Sequence, residues 1–478
     1  MKTPIAFLIY VLTFTSACCN LPDRAVAQEN PAASKVEPDN AQDQDVESIL
    51  KTRLAEEPIG SAISAVVVDE HGVNFFNVGN ASKDTDAKPV DSDSVYEIGS
   101  VTKVFTGILL AEATKRGEVN LDDPISKFLP STIKALKFGD NEITLLDLTT
   151  HGSALPSLPD NLEPEDPLNP YAGYSVQQMH AFLGGYKLTR EIGSKFEYSN
   201  LGVGLLGQIL AKQAVMSYEE LVKSRILEPL GMTNTAITFT PEMKSHLAVG
   251  HDAAGNQTAN WDLPTFAGAG ALRSTPTDMA KFLRANLGFS DSEVGDSLAQ
   301  AQKIARVYEM AGGPATRVGF NWFTTKSDDI EIQWHNGGTG GYRTYAGMDH
   351  ANKKGVFVAT NGFASVDDIG VHILNSKAKL RKIEEPKKEV AVSVEILEKY
   401  VGEYELTDAF SITTTREENS LFLQATNQPR LQLYAEKQDR FFVKEVKASV
   451  SFKMNDKGEV TGLVLHQGGA NIPGKKVK

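Results

Sequence analysis

The stretch from Tyr96 to Leu110 constrains this chain more than any other. It predicts the end of a strand, a glycine, and then a helix with Ser100 near its first turn and Lys103 one turn later on the same face. A serine hydroxyl is a weak nucleophile at neutral pH and needs a base within hydrogen-bond reach, which a half-buried lysine can supply. Burial and a positive neighbourhood would lower the pKa of that lysine. The stretch therefore predicts a nucleophile and its base at a buried helix start.

The Ser-x-x-Lys spacing by itself is weak evidence. It recurs elsewhere in the chain, at Ser48/Lys51, Ser131/Lys134 and Ser376/Lys379. The copy at Ser100 differs from these three because a glycine precedes it and an apolar run follows it. That context favours a buried helix start over two surface residues on a helix, and partner motifs elsewhere in the chain have to agree with it.

Composition excludes some classes of partner. The chain has 478 residues, 41% of them hydrophobic, which is enough for a large core and for two or three domains. Its formal net charge is -13, and no basic cluster stands out in its body. Because phosphate binding needs concentrated lysine and arginine, the sequence argues against nucleic acid as a partner.

The N-terminal residues predict export. An apolar run, Pro4 to Ala17, follows Lys2 and is too short to span a bilayer comfortably, but it fits a secretion signal. Cleavage after Ala27 matches the small-x-small pattern, whereas Cys18 or Cys19 could instead carry the lipid of a bacterial lipoprotein. Both alternatives place the mature protein outside the cytoplasm, either in the periplasm or secreted, with a lipid anchor in the second case.

Cys18 and Cys19 are the only two cysteines, so the sequence predicts a folded body with no disulfide and no thiolate metal site. The nine histidines show no His-Glu-x-x-His spacing, and the chain has no phosphate-binding Gly-x-x-x-x-Gly-Lys-Ser/Thr loop. The sequence therefore predicts neither a metal nor a cofactor. The run from Gly202 to Gly207 does satisfy Gly-x-Gly-x-x-Gly, but no buried strand precedes it, so close helix packing under the active site is the better interpretation.

Changes of amino-acid composition and sequence pattern along the chain predict its domains. Residues 28–45 are rich in Ala, Pro, Asn, Gln, Asp and Glu, which is typical of a disordered tether. An amphipathic helix is expected from Val46, and Glu, Lys and Pro dominate just after residue 382. The predicted divisions are a signal sequence at 1–27, the tether at 28–45, an α/β domain at 46–382, a linker at 383–392 and an all-β domain at 393–478.

Within the α/β domain, alternating and apolar runs predict a hairpin at residues 62–78 and hence a sheet packed on helices. The segment 153–174 is dense in proline, aspartate and asparagine, which predicts a long surface loop near a binding cleft. A last helix is expected at 369–382. In the C-terminal domain, seven short alternating segments between 400 and 466 predict a small antiparallel barrel.

Two further motifs complete the candidate site. Tyr198-Ser199-Asn200 is the only Tyr-x-Asn among thirteen tyrosines. The run from His335 to Tyr342 contains Gly337 and Gly338 at the predicted edge of a strand, where glycines allow a substrate backbone to approach closely.

Taken with Ser100 and Lys103, these motifs and their order resemble the penicillin-recognising serine hydrolases, most closely the branch of class C β-lactamases, family VIII carboxylesterases and related D-peptidases. The resemblance covers roughly residues 46–382. It implies an antiparallel sheet flanked by helices, together with an all-helical part. The opening of the C-terminal domain, residues 398–404, resembles the lipocalin-like domain appended to many such hydrolases.

The resemblance also implies covalent acyl transfer. Ser100 would attack a carbonyl, while Lys103, and Tyr198 held as or near phenolate by that lysine's charge, would carry the proton to the leaving group. The backbone amides of Ser100 and Gly338 would form the oxyanion hole, and Asn200 would hold the ester or amide side of the substrate. A core tyrosine with a satisfied hydroxyl is the alternative interpretation of Tyr198.

His335 departs from the family pattern, in which this position is usually a lysine that attracts the substrate's carboxylate. Histidine is mostly neutral at pH 7 and would hold a carboxylate less firmly, although Arg343 could compensate. A purely structural histidine is the alternative. Since the resemblance places this substitution in esterase and D-aminopeptidase-like relatives, it lowers the expectation of efficient β-lactam turnover.

The sequence therefore predicts a serine hydrolase that acts on an ester or a D-amino-acid amide or peptide through acyl-Ser100. A true class C-type β-lactamase or a D-Ala-D-Ala carboxypeptidase is the nearest alternative. From a different class, a penicillin-binding sensor or peptidoglycan-docking protein is also considered. The expected partner is a small-molecule or peptide substrate, and the sequence does not fix the oligomeric state.

Overall fold

A computed structural model describes residues 40–57, 60–310, 314–383, 389–407, 410–426, 430–443, 448–467 and 470–477. The predicted signal sequence, most of the predicted tether and part of the predicted linker lie outside these residues. The described chain forms two compact units that divide between Lys382 and Ile383. None of the described helices is both long enough and apolar enough to cross a membrane.

The first unit alternates helices with antiparallel strands. Its α-helices are α1 (Asn40–Glu56), α2 (Thr102–Lys115), α3 (Leu145–Thr149), α4 (Val176–Gly185), α5 (Asn200–Ala214), α6 (Tyr218–Val222), α7 (Pro241–Ser245), α8 (Ala267–Gly270), α9 (Pro276–Asn286), α10 (Gly295–Gln302) and α11 (Asp367–Leu374). Short 3-10 turns span Gly99–Val101 and Ile125–Lys127, and a π-helical turn spans Lys223–Leu227.

The strands of this unit are β1 (Ala62–Asp69), β2 (Gly72–Gly79), β3 (Tyr96–Glu97), β4 (Lys137–Phe138), β5 (Asn141–Glu142), β6 (Arg273–Ser274), β7 (Arg306–Tyr308), β8 (Thr316–Val318), β9 (Phe323–Ser327), β10 (Ile330–Gly338), β11 (Arg343–Asp349) and β12 (Lys354–Thr360). Eight of them form one sheet in the order β2-β1-β12-β11-β10-β9-β8-β7, and β3 pairs separately with β6. The predicted hairpin at 62–78 corresponds to β1 and β2.

Helix α2 is the centre of this unit. Every residue from Thr102 to Ala113 is buried, as expected for a helix that is apolar nearly all round. The Phe105 ring stacks on Phe282 of α9 with centroids 4.4 Å apart. The helix that follows Ser100 is therefore fixed by packing on several sides, which gives this serine a rigid support.

Strand β10 brings the glycine motif to the start of α2. Its last residue, Gly338, pairs with Arg343 of β11. A Cβ on Gly337 would lie 2.0 Å from the carbonyl oxygen of Ile98, so only a glycine lets the strand approach this closely. The Thr344 hydroxyl donates to the same carbonyl at 2.9 Å. These contacts hold the end of β10 against the chain just before Ser100.

The second unit is a closed antiparallel barrel. Its elements are α12 (Val394–Tyr400), β13 (Gly402–Thr407), β14 (Phe410–Glu417), β15 (Ser420–Ala425), β16 (Arg430–Lys437), β17 (Arg440–Phe442), β18 (Ala448–Met454), β19 (Val460–Gln467) and β20 (Ala470–Lys476). The strands follow one another in sequence order and β13 pairs with β20, which closes the barrel. Aliphatic and aromatic side chains fill its interior, and the ring centroids of Tyr400 and Phe452 are stacked 4.1 Å apart.

The barrel departs from the sequence prediction at both ends. Tyr400, expected in the first strand, ends a short helix instead, because Leu397 and Tyr400 are buried and fill the barrel core. An eighth strand, β20, was missed. It contains Pro473 and Gly474, which are poor strand formers, and pairing along β19 outweighs that local preference.

Two helix boundaries in the first unit also differ from prediction. The backbone is already helical at Asn40, so α1 begins inside the segment predicted as a tether rather than at Val46. Helix α11 ends at Leu374, eight residues before the predicted end at 382. The Asn375 amide donates to the Ser327 carbonyl at 3.1 Å, which ties the chain to β9 and ends the helix there.

Gly107 in α2 and Gly184 in α4 give a matched test of this packing. A Cβ on Gly107 would lie 2.2 Å from the Phe320 carbonyl oxygen, whereas nothing lies within 4 Å of one on Gly184. Gly107→Ala is expected to lower the free energy of unfolding by about 1–3 kcal/mol through overpacking. Gly184→Ala is expected to raise it by up to about 1 kcal/mol through helix propensity. Urea unfolding midpoints measure both, and equal effects at the two sites would contradict the packing described for α2.

Candidate active site

Gly99 sets the position of the nucleophile. Its φ of +51° is a left-handed conformation that glycine adopts readily, and a Cβ there would lie 2.7 Å from the Gly338 amide nitrogen. Ser100 follows in the 3-10 turn Gly99–Val101, immediately before α2 and hence near the first turn of that helix, as predicted. Ser100 is 8% exposed, so its hydroxyl lies at the edge of the core and in reach of a substrate.

Lys103 is completely buried, and its amine has three oxygen neighbours. Nζ lies 3.0 Å from Ser100 Oγ, 2.7 Å from Asn200 Oδ1 and 2.6 Å from the Ala269 carbonyl oxygen. Burial lowers the pKa of Lys103 well below that of an exposed lysine. A neutral amine has two N–H donors and one lone pair. Since the Asn200 and Ala269 oxygens can only accept, they take both donors and leave the lone pair for the Ser100 hydroxyl.

Tyr198 contacts both Ser100 and Lys103. It makes a side-chain hydrogen bond to Ser100, and burial raises its pKa above that of an exposed tyrosine. The Lys103 Nζ lies 4.9 Å from the centroid of the Tyr198 ring. The expected phenolate is therefore wrong, because burial favours the neutral form of both groups. The roles of Lys103 as base and of Tyr198 as proton carrier stay predictions.

Asn200 is the first residue of α5. Ser199 caps this helix, since its Oγ accepts from the Gly202 amide at 2.8 Å and donates to the Pro156 carbonyl at 2.7 Å. The cap fixes the direction in which α5 starts and places the Asn200 carboxamide on Lys103. The structure thus brings Asn200 to the Lys103 amine, and its binding of substrate stays a prediction.

His335 is fully buried on β10. Its Nδ1 lies 2.6 Å from the Asn336 carbonyl oxygen and therefore carries the proton, while Nε2 has no hydrogen-bond partner among the described residues. The ring centroid lies 6.2 Å from that of Tyr198 and 5.1 Å from that of Phe323. Burial lowers the pKa of His335 to about 3. The histidine is therefore uncharged at physiological pH.

Gly338 and Arg343 lie at the open end of β10. The Gly338 backbone is next to Gly99, as the Cβ argument above requires, so its amide is close to that of Ser100. The Arg343 Nη1 donates to the carbonyl oxygens of Thr339 at 2.6 Å and Tyr342 at 2.7 Å. Its guanidinium also lies 3.8 Å from the Phe363 ring centroid. Arg343 thus closes the β10–β11 turn with at least part of its guanidinium.

Comparison with known proteins identifies the family. The profile of the family described as "Beta-lactamase" matches residues 46–378, about two thirds of the chain. The chain belongs to the beta-lactamase family. It is accordingly a serine hydrolase, and the predicted resemblance and fold class are confirmed. Residues 386–475 match a second profile, described as "Domain of unknown function (DUF3471)".

Curated relatives of this beta-lactamase family member include two bacterial proteins. The D-alanyl-D-alanine-carboxypeptidase/endopeptidase AmpH of Escherichia coli K12 is 30% identical over 308 residues, which are 62% of this chain and 78% of AmpH. Protein flp of Staphylococcus aureus NCTC 8325 is 27% identical over 332 residues, 67% of this chain and 64% of flp.

Solved structures agree with the fold. A beta-lactamase/D-alanine carboxypeptidase from Yersinia pestis superposes with a TM-score of 0.61 and is 25% identical, covering 71% of this chain and 98% of its own. A class C beta lactamase from Rhodobacter sphaeroides has a TM-score of 0.58 at 23% identity, covering 70% and 99%. The second likeness supports the fold alone.

Close packing accounts for the glycines of α5, as the sequence interpretation expected. A Cβ on Gly204 would lie 2.7 Å from the Phe266 ring, and one on Gly207 would lie 3.1 Å from Gly268 Cα. These contacts press α5 against α8, whose Ala269 carbonyl holds Lys103. Among the described residues, no group of three or more His, Cys, Asp or Glu side chains could hold a metal ion.

Sequence reasoning missed three side chains of this beta-lactamase-type site. His151 is buried with its ring 4.6 Å from that of Tyr198. Tyr171 lies on the predicted surface loop, and its ring centroid is 5.2 Å from that of Trp261. Trp261 in turn borders Gly340, where a Cβ would lie 2.7 Å from the indole nitrogen. No spacing in the sequence links these positions. The loop's predicted place near a cleft was the one available signal.

The state of Lys103 predicts the pH dependence of the reaction. With the neutral amine as the predicted base, kcat/KM is expected to rise with pH through the pKa of Lys103. Burial lowers that pKa, so the rise ends well below the ordinary lysine value of 10.5. Lys103→Met keeps the volume but removes the base, and should lower kcat/KM about 10³-fold.

The matched control for this prediction is Lys212→Met. Lys212 lies near the end of α5 opposite to Asn200 and donates to the Phe128 carbonyl at 2.8 Å. Its replacement should leave the pH profile of kcat/KM unchanged. A Lys103→Met variant with the wild-type profile would show that another group is the base.

Proposed function

We propose that this protein hydrolyses an ester or a D-amino-acid amide or peptide through an acyl-Ser100 intermediate. The observation that carries the proposal is the contact of 3.0 Å between the buried Lys103 amine and Ser100 Oγ. A nucleophile and a base in hydrogen-bond reach, with a third group orienting the base, is the arrangement that covalent catalysis requires. Asn200 and the Ala269 carbonyl orient Lys103 in this way.

The proposed acylation balances its protons within the site. Ser100 Oγ attacks the carbonyl carbon as its proton passes to the Lys103 lone pair. Tyr198 gives its phenolic proton to the leaving group and recovers one from the Lys103 ammonium. The amides of Ser100 and Gly338 stabilise the oxyanion, which supports the role assigned to Gly337 and Gly338 in bringing β10 close. Water then attacks the acyl carbonyl carbon as its proton passes to Lys103. The Lys103 ammonium returns a proton to Ser100 Oγ as the bond between Oγ and the acyl carbon breaks, which releases the acid and restores the serine hydroxyl.

The charge state of the pocket supports a substrate that is uncharged next to the reacting bond. His335 is neutral and buried, so it offers no fixed positive charge where family members usually have a lysine. Burying a carboxylate without a partner costs a large free energy. Arg343 is the nearest candidate cation at the turn, but it donates to two carbonyl oxygens there. The proposal therefore favours esters and amides over substrates with a free terminal carboxylate.

A β-lactamase or D-Ala-D-Ala carboxypeptidase activity is the second candidate. The name of AmpH, a D-alanyl-D-alanine-carboxypeptidase/endopeptidase, favours it. We also propose that the mature protein works outside the cytoplasm, in the periplasm or beyond, with Cys18 or Cys19 as an alternative lipid-anchor site. The apolar run before these cysteines supports export.

Hydrolysis assays decide between the two candidates. We expect the purified mature protein to hydrolyse p-nitrophenyl butyrate or D-alanyl p-nitroanilide faster, in kcat/KM, than a chromogenic cephalosporin. Ser100→Ala should abolish each activity, because the nucleophile is lost. The reverse order of substrates would favour the second candidate. Activity that survives Ser100→Ala would refute both.

A substrate pair tests the role of the neutral pocket. N-acyl-D-Ala-D-Ala and its C-terminal carboxamide differ only in the charge near the scissile bond. We expect kcat/KM to be about tenfold or more higher for the carboxamide, since the carboxylate must be desolvated beside a neutral His335. The release of D-alanine or D-alaninamide, measured by chromatography, gives both values. Preference for the free acid would show that Arg343 or another cation binds the carboxylate.

A further inference from the structure

His151 contacts the Tyr198 segment through both its backbone and its side chain. Its carbonyl oxygen accepts from the Glu197 amide at 2.9 Å, and its Nδ1 accepts from the Ser199 amide at 3.2 Å. These two hydrogen bonds lie on either side of Tyr198. We infer that His151 is a positioning residue, which sets the place of Tyr198 and Asn200 against Ser100 and Lys103. The inference rests on the proposed function of that site.

The hydrogen bond between Ser199 and His151 is linked to Lys103 through Asn200. Ser199, which donates to His151, is also the cap of α5. The next residue, Asn200, holds the Lys103 amine with its Oδ1 at 2.7 Å. A shift of the Ser199 amide therefore moves both the phenol that precedes it and the carboxamide that follows it.

The hydrogen bond from Ser199 requires a neutral imidazole. Nδ1 can accept only if it carries no proton, so the ring is the tautomer protonated at Nε2. His151 is fully buried, and burial lowers its pKa well below that of an exposed histidine. Its Nε2 has no hydrogen-bond partner among the residues that the structure describes. The unprotonated nitrogen Nδ1 is therefore the atom of the ring that holds the segment 197–199.

The backbone of His151 supports the same role. Its φ of +58° is left-handed, a conformation that residues with a Cβ adopt at a cost and that histidine, asparagine and aspartate adopt more often than others. In this conformation the carbonyl and the ring both face the segment 197–199. Strained backbone of this kind persists where the surrounding structure holds it and is frequent at active sites.

Core packing is the competing explanation for His151, since its ring centroid also lies 5.6 Å from that of Phe196 and 6.1 Å from that of Phe323. The two explanations differ in what they require. Packing needs an apolar ring of similar size, whereas positioning needs an acceptor at Nδ1. His151→Phe keeps the ring without the acceptor. His151→Asn keeps an acceptor close to Nδ1, tolerates a positive φ and loses the ring.

The experiment measures the rate constant for labelling of Ser100 by a fluorophosphonate, and kcat on the substrate that the wild type hydrolyses. We expect His151→Phe to lower both about tenfold or more, because small displacements of catalytic groups are costly, and His151→Asn to recover most of the loss. His350→Asn is the matched control. His350 bonds Gln333 Oε1 at 2.9 Å near the far end of the β10–β11 pair and should have no effect.

Three outcomes would overturn the inference. The first is that His151→Phe is labelled at the wild-type rate. The second is that His151→Asn is labelled as slowly as His151→Phe although the two variants have equal melting temperatures. The third is that Tyr198 has not moved in a crystal structure of His151→Phe. If His151→Phe does not fold, His151→Ala takes its place in each comparison. A folded wild type that fluorophosphonate does not label would refute the proposed function instead, and the crystallographic position of Tyr198 would still decide the role of His151.

Discussion

The burial of the Lys103 amine is the constraint on which the active site depends. A lysine exposed to water would be charged and could not remove a proton from Ser100. Here α2 is buried over most of its length, and the amine has lost its water but gained two carbonyl-type acceptors from α5 and α8. These acceptors satisfy both N–H groups of a neutral amine. They also determine the direction of its lone pair, so the fold selects the protonation state and the geometry together.

Glycines provide the close approaches that this arrangement needs. Gly337 lets β10 touch Ile98, Gly99 turns the chain into Ser100 beside Gly338, and Gly204 and Gly207 let α5 press on α8. Each contact would be blocked by a single Cβ. The site is therefore formed where three elements approach more closely than ordinary side chains allow, and its polar groups lie on the backbone or on short, fixed side chains.

The sequence was enough to predict the elements that bear the motifs and the family fold, because apolar periodicity and turn residues are local signals. It was not enough to predict the protonation states of the buried side chains. The phenolate expected for Tyr198 assumed a charged lysine, and only the packed structure shows that both groups are desolvated. His151 was missed for a related reason: it lies 47 positions before Tyr198, and a left-handed backbone, not a spacing, brings its ring there. The strand β20 was missed because pairing along its whole length outweighs one proline and one glycine.

Burial disfavours the charged forms of four side chains at the candidate site, and this has a consequence for the proposed reaction. Burial lowers the pKa values of Lys103, His151 and His335 and raises that of Tyr198, so it favours the uncharged form of each. In the proposed reaction, attack by Ser100 creates an oxyanion near the Gly338 amide and an ammonium on Lys103. In a site with little water these opposite charges attract each other strongly. The pocket thus stabilises the transition state more than it stabilises a charged substrate, which is the property that catalysis requires.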